Sequence, residues 1–407
     1  MIDLEHSPLG GSSAYRFLAC AFSFLEHRRQ LQAGTFVEIP TEYSTLGVAA
    51  HELGAVCLTK GTEPFEHFGQ EFQGLRAGFP EEIDLDAVSV YVNHCRSLID
   101  GAGMVDGTKF FIERTFHRPD VHPLLKGTID FGMVNMMGIW LRDYKNGEGV
   151  GVEAVGSEQL QYYAFLLILE NWDWLQRQPK SFPVSLGIVQ PNFYGHFEEP
   201  EVWSTTMGEV IAWGYDVLLP RMNQLMNHAD MPTPEDATPG NHCQFCPVTL
   251  HCPKLKAAYI AYADAEEDFV TMLTDQELDA LYAQRTYARR FMTALERAVY
   301  ARKVTGGAIP SAKLVEKKVA RVWKPGAMQV LLANFGDKAY APKKELSPAG
   351  IEKLSTRGKE IAKEWGYKPE TNTLTIAPLD DPRAEAAPRT NDKVFEAFKQ
   401  SYEDMDF

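Results

Sequence analysis

The chain is expected to fold as an α/β domain, a mixed central β-sheet flanked by helices, with a mainly helical C-terminal extension. Three observations predict this. Two short apolar strands, 127–134 and 139–145, are separated by a Met-Met-Gly turn of hairpin length. A largely apolar helix at 157–171 then stands between them and another strand at 184–194, as a crossover connection requires. Composition agrees: 45% hydrophobic and 23% charged residues in 407 allow two to three domains, or one enzyme core with appendages.

Taken in order, residues 12–30 begin at Ser12-Ser13 as a helix N-cap and continue as an apolar helix ending near Cys20 or at His27-Arg28-Arg29. A second helix starts at Thr45 and runs through Gly47-Val48-Ala49-Ala50-His51-Glu52-Leu53. Its small residues are expected to let the first turn pack closely, and His51 shares a face with Gly47, four residues earlier. Cys57 and Cys95 have no metal-like spacing and are read as packing residues. A linker-like stretch near 74–82, a helix over 84–99 and a strand over 109–116 carrying Glu113 follow. After the hairpin, Gly147-Glu148-Gly149-Val150-Gly151 lacks the Gly-Lys-Ser/Thr ending of a phosphate-binding loop and serves as a turn into the next helix. On that helix Gln159 and Tyr163, at i and i+4, point the same way, and a Gln on so apolar a helix needs a polar partner. A long helix is expected over 205–227. Thr274-Asp275-Gln276-Glu277 is a capping box opening an amphipathic helix that runs to Lys303 and ends at Gly306-Gly307.

Two stretches carry chemistry. Gly127-Thr128-Ile129-Asp130 and Asp143-Tyr144-Lys145 lie on strands that pair, which brings the two carboxylates side by side. Carboxylate oxygens ligate Mg²⁺ or Mn²⁺, and an ammonium steadies an attacking water or the charge on a phosphorus centre, so the set suits phosphodiester hydrolysis. Asp-x-Lys alone is a common accident of surface hairpins. The second stretch is Cys243-x2-Cys246-x5-Cys252. Three thiols within ten residues of a chain with six cysteines point to zinc or an iron–sulfur cluster rather than to a disulfide framework. The fourth ligand is open between distant Cys20 and local His242 or His251; a local His favours zinc, and Cys20 allows [4Fe–4S].

The net charge of −15 argues against a nucleic-acid partner by its sum but not by its distribution. Residues 281–326 carry eleven cations, among them Arg285, Arg289, Arg290, Arg297, Arg302 and Lys303, against Glu296 and Glu316. Trp323 in the same segment offers a surface for stacking on an unpaired base. From Leu379 the chain is Pro/Ala-rich and reads as a flexible linker. It ends in an acidic tip, Tyr402-Glu403-Asp404-Met405-Asp406-Phe407, similar to tails of single-strand-binding proteins that dock on replication partners. No apolar run is of membrane-spanning length and the N-terminus has no signal-peptide pattern, which predicts the cytoplasm.

Together these motifs resemble the PD-(D/E)xK nuclease superfamily, in its RecB/AddB-like branch, which includes the CRISPR-associated RecB-like exonucleases and phage-encoded proteins. Gly47-x3-His51, Gly127-x2-Asp130, Asp143-x-Lys145 and Gln159-x3-Tyr163 occur in family order. One cysteine precedes them and three follow, as in the iron–sulfur subgroup. Coverage is residues 12 to about 256. The resemblance implies a restriction-endonuclease-like core over 1–260; the basic helical extension over 261–378 and the flexible acidic tail over 379–407 are read from their own residues. It implies that His51, Asp130 and Asp143 bind Mg²⁺ or Mn²⁺, with the Tyr144 carbonyl as a further ligand, and that Lys145 orients or activates the water. Gln159 and Tyr163 would contact DNA or buttress the site, and Cys20, Cys243, Cys246 and Cys252 would hold a [4Fe–4S] cluster, with zinc as the alternative. Glu113 is given only a supporting place behind the ligands. The function implied is a metal-dependent DNA nuclease, an exonuclease of phage-like replication or recombination acting in the host cytoplasm, with single-strand-binding or other replication proteins as partners. The rival is a non-catalytic DNA-binding or assembly protein that keeps the fold.

Overall fold

The first helix expected from the sequence is broken in two. In the computed structural model α1 (Ala14–Ala19) and α2 (Ala21–Gln32) are separated by Cys20, whose backbone is extended at φ −141 and ψ 111. The break takes Cys20 out of the helical path and leaves its sulfur free to meet a distant segment. Ser13 is the N-cap residue, yet its hydroxyl donates to Gly10 O at 2.9 Å and Pro8 O at 3.0 Å instead of capping the helix.

The structure describes residues 8–36, 42–78, 82–102, 104–147, 151–193, 200–228, 231–263, 273–304 and 306–312. All fall in one of two compact units of the chain, 1–321; the other, 322–407, lies outside them. The linker from Leu379, the acidic tip, Trp323, the cations beyond 312 and positions 148–150 of the glycine-rich loop are likewise outside the described residues.

Helix α3 (Glu42–Lys60) carries His51. Its small residues divide into two kinds: Ala49 and Ala50 are fully buried, whereas a Cβ added at Gly47 would meet nothing within 4 Å. The expected close packing therefore holds for the alanines and fails for Gly47, which faces open space. Most of the described part of the linker-like stretch near 74–82 is structured. The short strands β1 (Glu71–Phe72) and β2 (Leu75–Arg76) form a hairpin whose turn residues Gln73 and Gly74 both have positive φ, at 50 and 79. Two left-handed residues in a two-residue loop match the twist of the flanking strands. Helix α4 (Leu85–Ala102) follows.

The main sheet contains β3 (Lys109–His117), β4 (Lys126–Asn135), β5 (Gly138–Tyr144), β6 (Pro183–Val189) and β7 (Glu201–Thr206), adjacent in that order. All neighbours are antiparallel except β5 and β6, which run parallel and are joined across α5 (Glu158–Glu170) and the single turn α6 (Trp172–Leu175). The mixed sheet flanked by helices is thus as expected, with one strand more. The helix expected over 205–227 begins only at Met207, after β7. The run Val202-Trp203-Ser204-Thr205-Thr206, rich in β-branched and aromatic residues, pairs with β6. Thr206 then caps α7 (Met207–Trp213) in a reciprocal box with Glu209, and a π-helical turn over Gly214–Leu218 leads into α8 (Leu219–Asn227).

One face of the sheet packs on α5, α1, α7 and α8 through Leu141, Leu186, Ile188 and the apolar length of α5; the other packs on α3 and α4 through Phe131, Met133, Tyr144 and Val189. Beyond the sheet, α9 (Pro253–Ala263) and α10 (Asp275–Val304) pack together, with Tyr259 stacked on Phe291 at 5.1 Å. The capping box on α10 forms as expected, Thr274 N and Oγ1 both donating to Glu277 Oε2. Among the described residues no helix is long and apolar enough to cross a membrane.

Candidate metal centre and cysteine lobe

A change in the alternation of β4 positions the first centre. Gly127, Ile129, Gly132 and Val134 face the α5 side, whereas Phe131 and Met133 face α3 and α4. Strict period two would put Ile129 and Phe131 on one face, so the strand turns over at Asp130. Opposite it, Glu113 on β3 has φ 44, and the ladder resumes in the same register on both sides, Ile112 with Phe131 and Arg114 with Ile129. A non-glycine residue in left-handed conformation within a strand is strained by roughly 1–3 kcal/mol. Here it puts Glu113 across from Asp130.

His51, Glu113 and Asp130 each offer a ligand atom, all within 4.8 Å of one another. His51 Nδ1 stands 3.3 Å from Glu113 Oε1 and 3.4 Å from Asp130 Oδ1. The other oxygen of Asp130 accepts from the Tyr144 backbone amide at 2.7 Å. Burial disfavours the imidazolium of His51, but Asp130 and then Glu113 outweigh it and push its pKa up to about 10. Burial likewise opposes ionisation of Asp130, and His51 and Lys145 hold its carboxyl below the usual range nonetheless. Without a metal, the imidazolium of His51 and the ammonium of Lys145 balance the carboxylates here.

Asp143, on β5, is engaged differently. Its Oδ1 accepts from Gln159 Nε2 at 2.8 Å, and its Oδ2 lies 2.8 Å from Lys145 Nζ, at an angle that leaves this buried oxygen without a well-formed hydrogen bond. Gln159 Oε1 in turn accepts from Lys145 Nζ at 3.1 Å, so one amide bridges the carboxylate and the ammonium. Tyr163 OH sits 3.5 Å from the same amide nitrogen. Burial raises the pKa of Asp143 to about 6 against the pull of Lys145. Burial also works against the Lys145 charge, and Asp143 and Asp130 together keep its pKa above the ordinary value. The Tyr144 ring is buried against Tyr91 and the edge of His51, leaving its main chain to face the centre through the amide that Asp130 accepts from. The Gly of Gly127-x2-Asp130 has a concrete role: a Cβ there would come within 2.9 Å of the Tyr163 ring, which also covers Gly11.

The structure thus brings together His51, Asp130, Asp143, Lys145, Gln159 and Tyr163, and adds Glu113 as an equal member. Its sequence signal was weak, because the long connection from β3 to β4 leaves their register undetermined until the strands pair.

The second centre is built from turns. Cys20, Cys243, Cys246 and Cys252 line one pocket with Phe22 and Leu255, and among the described residues every cysteine is a free thiol. Each of the four sulfurs faces a backbone amide: Thr238 N and Gly240 N lie 3.4 Å from Cys20 and Cys243, Val248 serves Cys246, and Leu255 and Lys254 serve Cys252. Such donors favour a thiolate and tune a metal bound to it. Without a metal, burial pushes the Cys246 thiol up to about 11. Of the three residues open as fourth ligand, Cys20 and His242 both line this pocket, and Cys20 is 218 residues from its amide donor Thr238. His242 is turned to Thr238 O at 2.9 Å, and His251 does not line the pocket.

Helix α1 connects the two centres. Arg16 donates to Phe245 O at 3.2 Å, inside the Cys243–Cys246 turn, and Tyr15 is close enough to bear on the charge of Lys145. From the far side, Arg290 of α10 donates to Gly240 O. The basic residues of α10 are therefore not one free face: Arg290 holds the cysteine turn and Arg285 lies over the Tyr282 ring at 3.6 Å, while Arg289 and Arg297 are exposed. The family model described as "Protein of unknown function (DUF2800)" matches residues 6–384, and the chain belongs to that family.

Proposed function

We propose that this member of the DUF2800 family is a metal-dependent nuclease that hydrolyses phosphodiester bonds in DNA. The observation that carries the reading is the convergence, at one end of β4 and β5, of an imidazole, three carboxylates and an ammonium fixed by a glutamine. His51, Asp130 and Asp143 are the residues proposed to hold Mg²⁺ or Mn²⁺, with the Tyr144 carbonyl beside them. When bound, the ion supplies Lewis acidity and a more acidic water. Lys145 presents an ammonium donor toward the attacking water and the charge that develops on the phosphate. Gln159 keeps that ammonium and Asp143 in fixed relative orientation, and Tyr163 closes the site from α5.

The cysteine lobe is proposed to hold a [4Fe–4S] cluster. Four sulfurs in one pocket, each with a backbone amide donor, support it, with zinc as the alternative. Bound there, the cluster would join the two ends of the described fold and contribute folding free energy. The proposed setting is the cytoplasm, in DNA replication or recombination of phage type, with exonucleolytic action and single-strand-binding proteins as partners of the acidic tail.

The test is to purify the protein without oxygen and incubate it with Mg²⁺ or Mn²⁺ on end-labelled single- and double-stranded DNA. Asp130→Ala and Lys145→Ala are run alongside. Degradation by the wild type and by neither variant supports the nuclease, and the label released gives its polarity. A folded, cluster-loaded protein that binds DNA and leaves every substrate intact with both metals sinks it in favour of a non-catalytic DNA-binding role.

A further inference from the structure

We infer that Glu113 is itself a ligand of the divalent cation, joining from β3 the His51, Asp130 and Asp143 ligands proposed above, of which Asp143 also holds Lys145. The inference rests on the reading above for the identity of the cation. Donor atoms in adjacent positions around one octahedral ion with ~2.0–2.1 Å bonds stand ~3 Å apart. The pairs His51 Nδ1 to Glu113 Oε1 and His51 Nδ1 to Asp130 Oδ1, at 3.3 and 3.4 Å, come within a few tenths of an ångström of that spacing. Asp143 has one oxygen on Gln159 and the other 2.8 Å from Lys145 Nζ without a well-formed hydrogen bond, so it has only that second oxygen to offer.

Exposure points the same way. The Asp143 side chain is 3% exposed and that of Asp130 9%, whereas Glu113 and His51 are 32% and 28% exposed. The triad therefore lies open on the Glu113 side, where a hydrated ion and a phosphate can arrive. Gly47, one helical turn before His51, adds no side chain to that approach. A nitrogen in the set predicts that Mn²⁺ binds more tightly than Mg²⁺, whose preference is for oxygen.

The experiment is calorimetric titration of Mn²⁺ and of Mg²⁺ into the full chain, purified without oxygen and with no DNA present. Wild type is compared with Glu113→Gln, Glu113→Asp, Glu113→Gly and Asp143→Asn. Glu113→Gln is expected to weaken Mn²⁺ binding by more than the ~10–100-fold that loss of a partner behind the ligands costs, Glu113→Asp by less, and Asp143→Asn by the least. Circular dichroism reports the fold of each. Should the glutamine variant fail to fold, the glycine variant, whose residue tolerates the positive φ, decides the point. Wild-type affinity in a folded Glu113→Gln or Glu113→Gly protein overturns the assignment. Binding that depends on Glu113 in a protein that cleaves no DNA would retain the ligand and sink the nuclease. Cleavage with Glu113-independent binding would do the reverse.

Discussion

The two centres are made by opposite means. At the metal centre, His51, Glu113, Asp130 and Asp143 stand on α3, β3, β4 and β5, long elements anchored in two large cores. At the cysteine lobe the ligands come from a break between two helices and from 3₁₀ turns at Asn241–Phe245 and Thr249–His251, over a small core of Cys20, Phe22, Ala237, Val248 and Leu255. The first centre is organised by the sheet, and under the proposed function its cation serves the chemistry. The second has little apolar area of its own, so the cluster proposed to bridge its sulfurs would be part of what folds it.

The comparison predicts a clean separation of effects. The largest is on catalysis: Lys145→Ala lowers cleavage by on the order of 10²–10⁴-fold, while absorbance from the cluster and the melting temperature stay near wild type. An equal loss of both would show that the metal centre too is structural. Next comes Cys252→Ser, expected to cost about 4–5 kcal/mol, the range reached when a bound metal is lost. It is measured by denaturant titration together with visible absorbance. A variant as stable as wild type would make the lobe independent of its ligand.

Glu113→Gly sharpens the contrast inside the sheet. Relief of the left-handed strain, offset by glycine's entropy, should stabilise the protein by about 1 kcal/mol, seen as a rise of about 1–2 °C in Tm. A fall in Tm would mean that the Glu113 side chain supports the fold rather than the site.

The smallest effect concerns acid stability. Arg142 is buried just before Asp143 and donates to neutral partners: His94 Nε2 at 2.9 Å, Leu141 O, and Ser185 O and Oγ. Burial, and then this guanidinium, lower the pKa of His94 from 6.5 to about 4. The unfolded chain therefore takes up the proton first. The stability associated with neutral His94 is complete above pH 6.5 and is lost as the pH falls toward 4. His94→Gln keeps an acceptor for Arg142 without the titration, so its denaturation midpoint should fall less steeply over that window. An unchanged slope would assign the acid sensitivity to His27, which burial also takes to about 4.

The sheet and its helices were legible because strand alternation and helical periodicity are local. The hairpin Lys126–Tyr144 and the caps at Ser157 and Thr274 follow from adjacent residues. Strand β7 was missed where Thr205-Thr206 was taken as helix, although its β-branched run belongs with β6. Gly47 was given a packing role that the open space around it refutes, since a glycine's neighbours are not written beside it in the chain.

By itself the sequence determined which residues share an element face: Gln159 with Tyr163, and Asp143 on the strand paired with that of Asp130. It also set three cysteines in one short segment. Only the tertiary structure decided that Cys20 reaches the pocket of the three cysteines, which His251 does not line, and that Glu113 stands opposite Asp130 at a turned-over position of β4. The physical reason is sequence separation: spacing within a helix or hairpin follows from backbone geometry, whereas contacts between distant segments depend on how whole elements dock.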